Sequence, residues 1–161
     1  RDAGSDPALD GLSDVRPTLR LRLAAVKRFS HGWQLTGSVS PDVVGRGGGT
    51  VAEAGLGREW RLSPTLRATM GTTTTWADSR YLRSYFGITP AQSALTNLAV
   101  AEPSSGLRDV SASAALYAVF GPHWVGFASL NATHLLGGAA RSPLTHRVNT
   151  WSAYSGLAWR F

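Results

Sequence analysis

The residues equipped for chemistry are few and scattered. His31, His123, His134 and His146 fall in four separate segments, without the close spacing by which imidazoles share a metal ion. Cysteine is absent, which removes disulfides, thiolate metal sites and thiol nucleophiles together. Ser129, Asn131 and His134 are hydrolase residue types lying near one another. On a strand, however, Ser129 and Asn131 share one face and His134 takes the other, so nucleophile and base are kept apart. No G-x-S-x-G elbow occurs. The run GRGGGT at 45–50 has the glycines of a phosphate loop but neither its Lys-Ser/Thr ending nor a following helix signal, and reads as a flexible turn. These patterns predict no catalytic site, no metal site and no cofactor.

Charges and aromatics remain as candidates. Arg16, Arg20, Arg22, Arg67 and Arg160, with Glu53 and Glu59, alternate with apolar neighbours and are expected to face an enclosed interior. Charge there must be paired, and it selects ions if the interior conducts. Trp76, Asp78, Tyr81, Tyr85 and Phe86 concentrate aromatics in one long connection. Such a connection offers a surface for a ligand or receptor, or else folds over the rim as a plug.

The elements that position these groups are strands. No apolar run approaches the roughly 20 residues of a membrane helix. Charged residues are 16% of the chain, below the roughly 25% of a soluble domain. The +6 net charge is not gathered on one helix face among aromatics, so nucleic acid is not an expected partner. Period-two alternation instead recurs in segments of about ten residues bounded by Gly, Pro, Ser and Asp. In residues 15–28, Leu19, Leu21 and Leu23 oppose Thr18, Arg20 and Arg22. Further segments are expected near 33–41, 50–61, 64–75, 109–120, 123–134 and 150–161. Arg58 falls on an apolar side near a strand end, where a long side chain can snorkel.

A soluble β-sandwich alternates in the same way, so the connections discriminate. Short links at 28–33, 61–65 and 120–124 alternate with long ones at 41–50, 76–108 and 135–148. Phe29, Trp33, Trp60, Phe120 and Trp124 flank the short links as an interfacial girdle would. This pattern predicts an all-β fold, a transmembrane antiparallel up-and-down β-barrel, forming a single domain over 1–161. The short turns would lie in the periplasm and the long loops outside the cell. Bacterial barrels have even strand numbers, so seven strands lead us to expect further N-terminal strands and a signal peptide outside this sequence. The opening RDAGSDPALDGLSD lacks the basic start and apolar core of such a peptide.

The closing residues Tyr154, Gly156, Trp159 and Phe161 match the terminal pattern by which outer-membrane barrels are recognised for assembly. The stretches DVRPTLRLRL at 14–23, TWADSRYLRSYFGITPAQSA at 75–94 and GLRDVSASAAL at 106–116, with HWVGFASLNATHLLGGAARSPL and the closing strand, resemble the MipA/OmpV family of outer-membrane proteins. The resemblance implies a non-enzymatic barrel in the outer membrane of a Gram-negative cell, in contact with its lipid and inserted by the barrel-assembly machinery. It also implies a scaffold role, since the name-giving member brings a lytic transglycosylase and a murein synthase together. The other functions to weigh are a small-solute channel and an adhesin.

Overall fold

The computed structural model describes residues 17–161. Seven strands form one antiparallel sheet in chain order: β1 (Leu23–Arg28), β2 (Trp33–Pro41), β3 (Thr50–Ser63), β4 (Leu66–Ala77), β5 (Gly106–Phe120), β6 (Trp124–Leu135) and β7 (Asn149–Trp159). Each strand pairs with its sequence neighbours, and β1 and β7 stand unpaired with each other at the two edges. The result is an all-β up-and-down meander, a barrel section that is not closed.

Directly opposed residues of an antiparallel ladder point the same way, so the register sorts side chains onto two faces. Ala24, Ser38, Glu53, Thr75 and Asp109 follow one another across β1 to β5 on one face. Leu35, Leu56, Thr72, Ala112, Ala132 and Trp151 follow one another on the opposite face. That second, bare face carries most of the large apolar side chains left exposed, Met70, Leu130, Trp151 and Leu157 among them, while Tyr117, Phe127 and Tyr154 are exposed on the first. Leu19, Leu21 and Leu23 are exposed as well, at 63%, 53% and 59%.

The first strand is shorter than expected. Its regular ladder begins at Leu23, because β2 ends at Pro41 and the chain then turns. Before Leu23 the pairing continues only through the Arg20–Asp42 bridge and single bonds at Leu19 and Leu21. Residues 15 and 16, and with them Arg16, lie outside the described residues.

The long connections contain helices that strand periodicity does not reveal: α1 (Ser79–Phe86), α2 (Pro90–Thr96) and the short α3 (Gly137–Ala140). None is long and apolar enough to cross a membrane. Local chemistry starts the first two. The Asp78 carboxylate accepts from the Tyr81 amide at the N-terminus of α1. Thr89 and Gln92 form a reciprocal capping box on α2, with Pro90 at its first position. Helices α1 and α3 lie over the polar face at the long-connection end. There Leu82, Ala139, Val51 and Ala77 form a small buried core, flanked by Tyr81, Phe86 and Leu135.

Leu82 is 1% exposed and is the keystone of that lid. Leu82→Ala is expected to cost about 2–5 kcal/mol of lid docking, by lost transfer energy plus a cavity. Limited proteolysis between residues 78 and 105 should accelerate markedly, while amide protection in β3 to β6 stays unchanged. Unchanged cleavage in the lid would contradict this role.

Candidate functional site

Each long connection is tied to another, and the ties meet on the capped face. Asp78 receives the Thr50 amide at 2.7 Å as well as the Tyr81 amide, joining the start of β3 to the start of α1. Gly49 makes this approach feasible. Its φ is +57°, and a Cβ there would stand 2.3 Å from an Asp78 carboxylate oxygen and 2.4 Å from the Tyr81 nitrogen. Ser84 Oγ donates to the Gly47 carbonyl at 2.6 Å, and Ser142 Oγ donates to the Phe86 carbonyl at 2.7 Å. The GRGGGT turn is therefore anchored, with Gly48 and Gly49 buried, and the flexible turn expected from its composition is corrected.

Tyr81 sits between two guanidinium groups, Arg20 at 5.0 Å and Arg108 at 5.5 Å from its ring centre. Arg108 also donates to the Tyr81 hydroxyl at 2.9 Å and pairs with the buried Asp109. Strict alternation puts adjacent residues on opposite faces, but a register shift opposite Thr75 and Trp76 leaves Arg108 as an extra residue. That bulge lets Arg108 reach the lid beside Asp109. No residue type marked this position in the sequence. Arg20 further donates to the carbonyls of Gly48 and Ser40.

The other sequence-selected charges also meet partners. Arg22 pairs with Glu53 at 2.5 Å, and Glu53 accepts from Ser38 at 2.9 Å. Arg67 and Glu59 approach to 4.0 Å, both about half exposed. The aromatic tract divides. Trp76 belongs to β4 rather than to the loop and lies on the bare face. Tyr81, Tyr85 and Phe86 are half-buried on α1, with the Tyr81 and Tyr85 rings 4.5 Å apart.

The bare face has an order of its own. Following the register from Trp33 through Arg58, Met70, Ala114 and Leu130 leads to Ala153, six residues short of Trp159 over five strand steps. At the opposite end, Trp151 leads back through Ala132 and Ala112 to Thr72, four residues short of Trp76 over three steps. With about 3.4 Å per residue and about 4.8 Å between strands, each pair of tryptophans comes level at a tilt of roughly 40°. Two separate rims thus yield one angle, within the roughly 35–45° of closed barrels. Trp151 and Trp159 are eight residues apart on β7. At that tilt the two rims are separated by about 21 Å along the axis.

A family model described as MltA-interacting protein MipA matches residues 1–161, the whole chain. The chain belongs to the MipA family. No curated protein and no solved structure matches it.

In this MipA-family chain the terminal pattern is built into the last strand pair. A Cβ at Gly156 would stand 2.6 Å from the Phe127 ring, which lies directly opposite and covers the glycine. Trp159 packs edge-on against Trp124 at 4.9 Å and stacks on His123 at 4.7 Å. Tyr154 opposes Ser129 on the polar face, and Phe161 is fully exposed. Ser129 and Asn131 share the polar face, whereas the His134 ring meets Asn149 at 2.6 Å on the bare face.

Asp42 organises the 42–49 turn of the family member. The Thr18 hydroxyl donates to its carboxylate, as do the amides of Gly48 and Val44, which holds its pKa at about 2 against an ordinary 3.8. The folded value lies below the unfolded one, so these bonds stabilise the turn fully above the unfolded pKa and are lost as pH falls toward the folded pKa. Amide exchange at Gly48 and Val44, corrected for intrinsic rates, should accelerate between about pH 4 and pH 2. Asp42→Asn should abolish that dependence, and a flat profile in the native chain would refute the assignment.

Proposed function

We propose that this chain forms part of a barrel in the outer membrane of a Gram-negative cell, and that it acts there as a scaffold for murein-remodelling enzymes. The two tryptophan rims, levelled by one tilt, carry the membrane reading. Outer-membrane strands tilt by roughly 35–45° and present an apolar band about 25 Å tall between aromatic girdles. The bare face would meet lipid, the polar face would line the interior, and the short turns would lie in the periplasm. Unpaired strand edges are untenable in hydrocarbon, so further strands would join β1 to β7. The closing pattern through Phe161 would serve the barrel-assembly machinery.

The family description, MltA-interacting protein, supports a lytic transglycosylase as partner; a murein synthase as the second enzyme of the scaffold is part of the proposal and rests on the resemblance alone. Channel and adhesin readings draw less support. Helices α1 and α3 lie over the polar face, and Tyr81 and Phe86 pack into the lid instead of projecting outward.

Two measurements test the reading. Nitroxides at Met70 and Leu130 in vesicles should collide more with oxygen than with a water-soluble relaxant, and nitroxides at Thr69 and Ser129 should show the reverse. Equal access of the aqueous relaxant to both sets would overturn the membrane assignment. Photo-crosslinkers at Ser30 and Pro122, in the short turns, should capture the transglycosylase in envelopes, and one at Ser104 should not. Capture from Ser104 alone would overturn the periplasmic orientation.

A further inference from the structure

The bare face is almost without charge, and its exceptions are grouped. Across the bare-face positions of β1 to β7, the ionisable side chains other than histidine are Lys27 and Arg58. Both are cations. Lys27 on β1 and Arg58 on β3 flank β2 at the short-turn rim. Lys27 opposes Leu35 and Arg58 opposes Trp33, so the two cations stand on either side of β2, two residues apart in register.

The local geometry orients this pair. The Arg58 guanidinium lies 5.4 Å from the Trp33 ring centre and 5.1 Å from that of Trp60, held between the two indoles. Its Nε donates to the His31 carbonyl at 3.2 Å, which fixes the plane of the group. Both Nη groups are left without an acceptor among the described residues. The Lys27 ammonium stands 5.4 Å from the Phe29 ring, on the same face. A guanidinium fixed by its Nε and flanked by aromatics presents its Nη fork to a planar or tetrahedral oxyanion.

We infer that Lys27, Arg58, Trp33 and Trp60 form a binding site for the headgroup phosphate of a phospholipid in the periplasmic leaflet. This rests on the membrane reading above, which puts these residues at the level where lipid phosphates lie. Charge complementarity selects the phosphate, and the indoles provide the apolar wall against which the upper acyl chain rests. Arg58 is then a lipid ligand, beyond an arginine reaching for water.

The test uses the full chain folded into vesicles, extracted in mild detergent and weighed by native mass spectrometry. Folding is scored independently by heat-modifiable gel mobility. Phosphatidylglycerol should be retained, and a phosphate-free galactosyl diacylglycerol should not. Arg58→Gln together with Lys27→Gln should lower phosphatidylglycerol retention by about five-fold or more in molecules that fold, whereas Arg58→Lys should retain part of it. Inorganic phosphate should not displace the lipid. Equal retention by the folded double variant, equal retention of the galactolipid, or displacement by inorganic phosphate would each overturn the lipid site. Failure of the native full-length protein, with the strands that join β1 to β7, to enter vesicles would overturn the membrane reading as well, so the two failures are told apart.

Discussion

A continuous antiparallel ladder forces every second residue onto the same face, and in this chain everything else follows from that. Seven strands joined in order share one register, so polar and apolar residues that alternate locally become two coherent surfaces. A slip of one residue in β3 would turn Glu53 onto the apolar face and part it from Arg22 and Ser38. The Arg22–Glu53–Ser38 cluster on one face and the Leu35–Leu56 pair on the other therefore specify the same alignment from both sides. The register also carries the stagger. A sheet with its turns level along the register would need no tilt, whereas the offset between Trp33 and Trp159 cannot be levelled without one.

The lid shows how a polar face acquires a core. Val51 and Ala77 are the apolar residues that β3 and β4 place on that face at the long-connection end, and Leu82 and Ala139 descend onto them. A leucine, a valine and two alanines bury too little area to hold such a structure alone. The hydrogen bonds from Asp78, Ser84 and Ser142 therefore matter more than they would in a large core, because each joins segments distant in sequence. The bulge at Arg108 adds a cation where a strict strand would have turned it outward, and Tyr81 is gripped from two sides as a result.

What was legible in the sequence is what repeats. Period-two alternation over ten residues is a strong signal, and it located all seven strands, six of them with ends displaced by three residues or fewer, whereas the first begins eight residues later than expected. The helices were illegible to the same test, because eight and seven residues give barely two turns of pattern. Their caps were readable: Asp78 before Ser79, and Thr89-Pro90 followed by Gln92, are helix-start signals inside a connection treated as loop. The anchoring of Gly49 was not, since it depends on Asp78 and Tyr81 arriving from about thirty residues away, and that of Gly48 depends on Thr18 and Asp42 meeting from different segments. Nor was the bulge, because the offset at Arg108 is a property of the pairing with β4 and not of any residue type.

The arginines show why residue type alone underdetermines role. Arg20, Arg22, Arg58 and Arg108 have the same side chain and lie on or beside strands of the same sheet. Arg22 and Arg108 meet carboxylates, so their charge is compensated within the chain. Arg20 is spent on backbone carbonyls and an aromatic ring under the lid. Arg58 alone of these faces the apolar side, where no carboxylate among the described residues is within reach and two indoles flank it. A cation in that setting is stabilised by ring quadrupoles only in part. The rest of its solvation must come from outside the protein, and the face that Arg58 shares with Leu35, Leu56 and Met70 determines what is there to provide it.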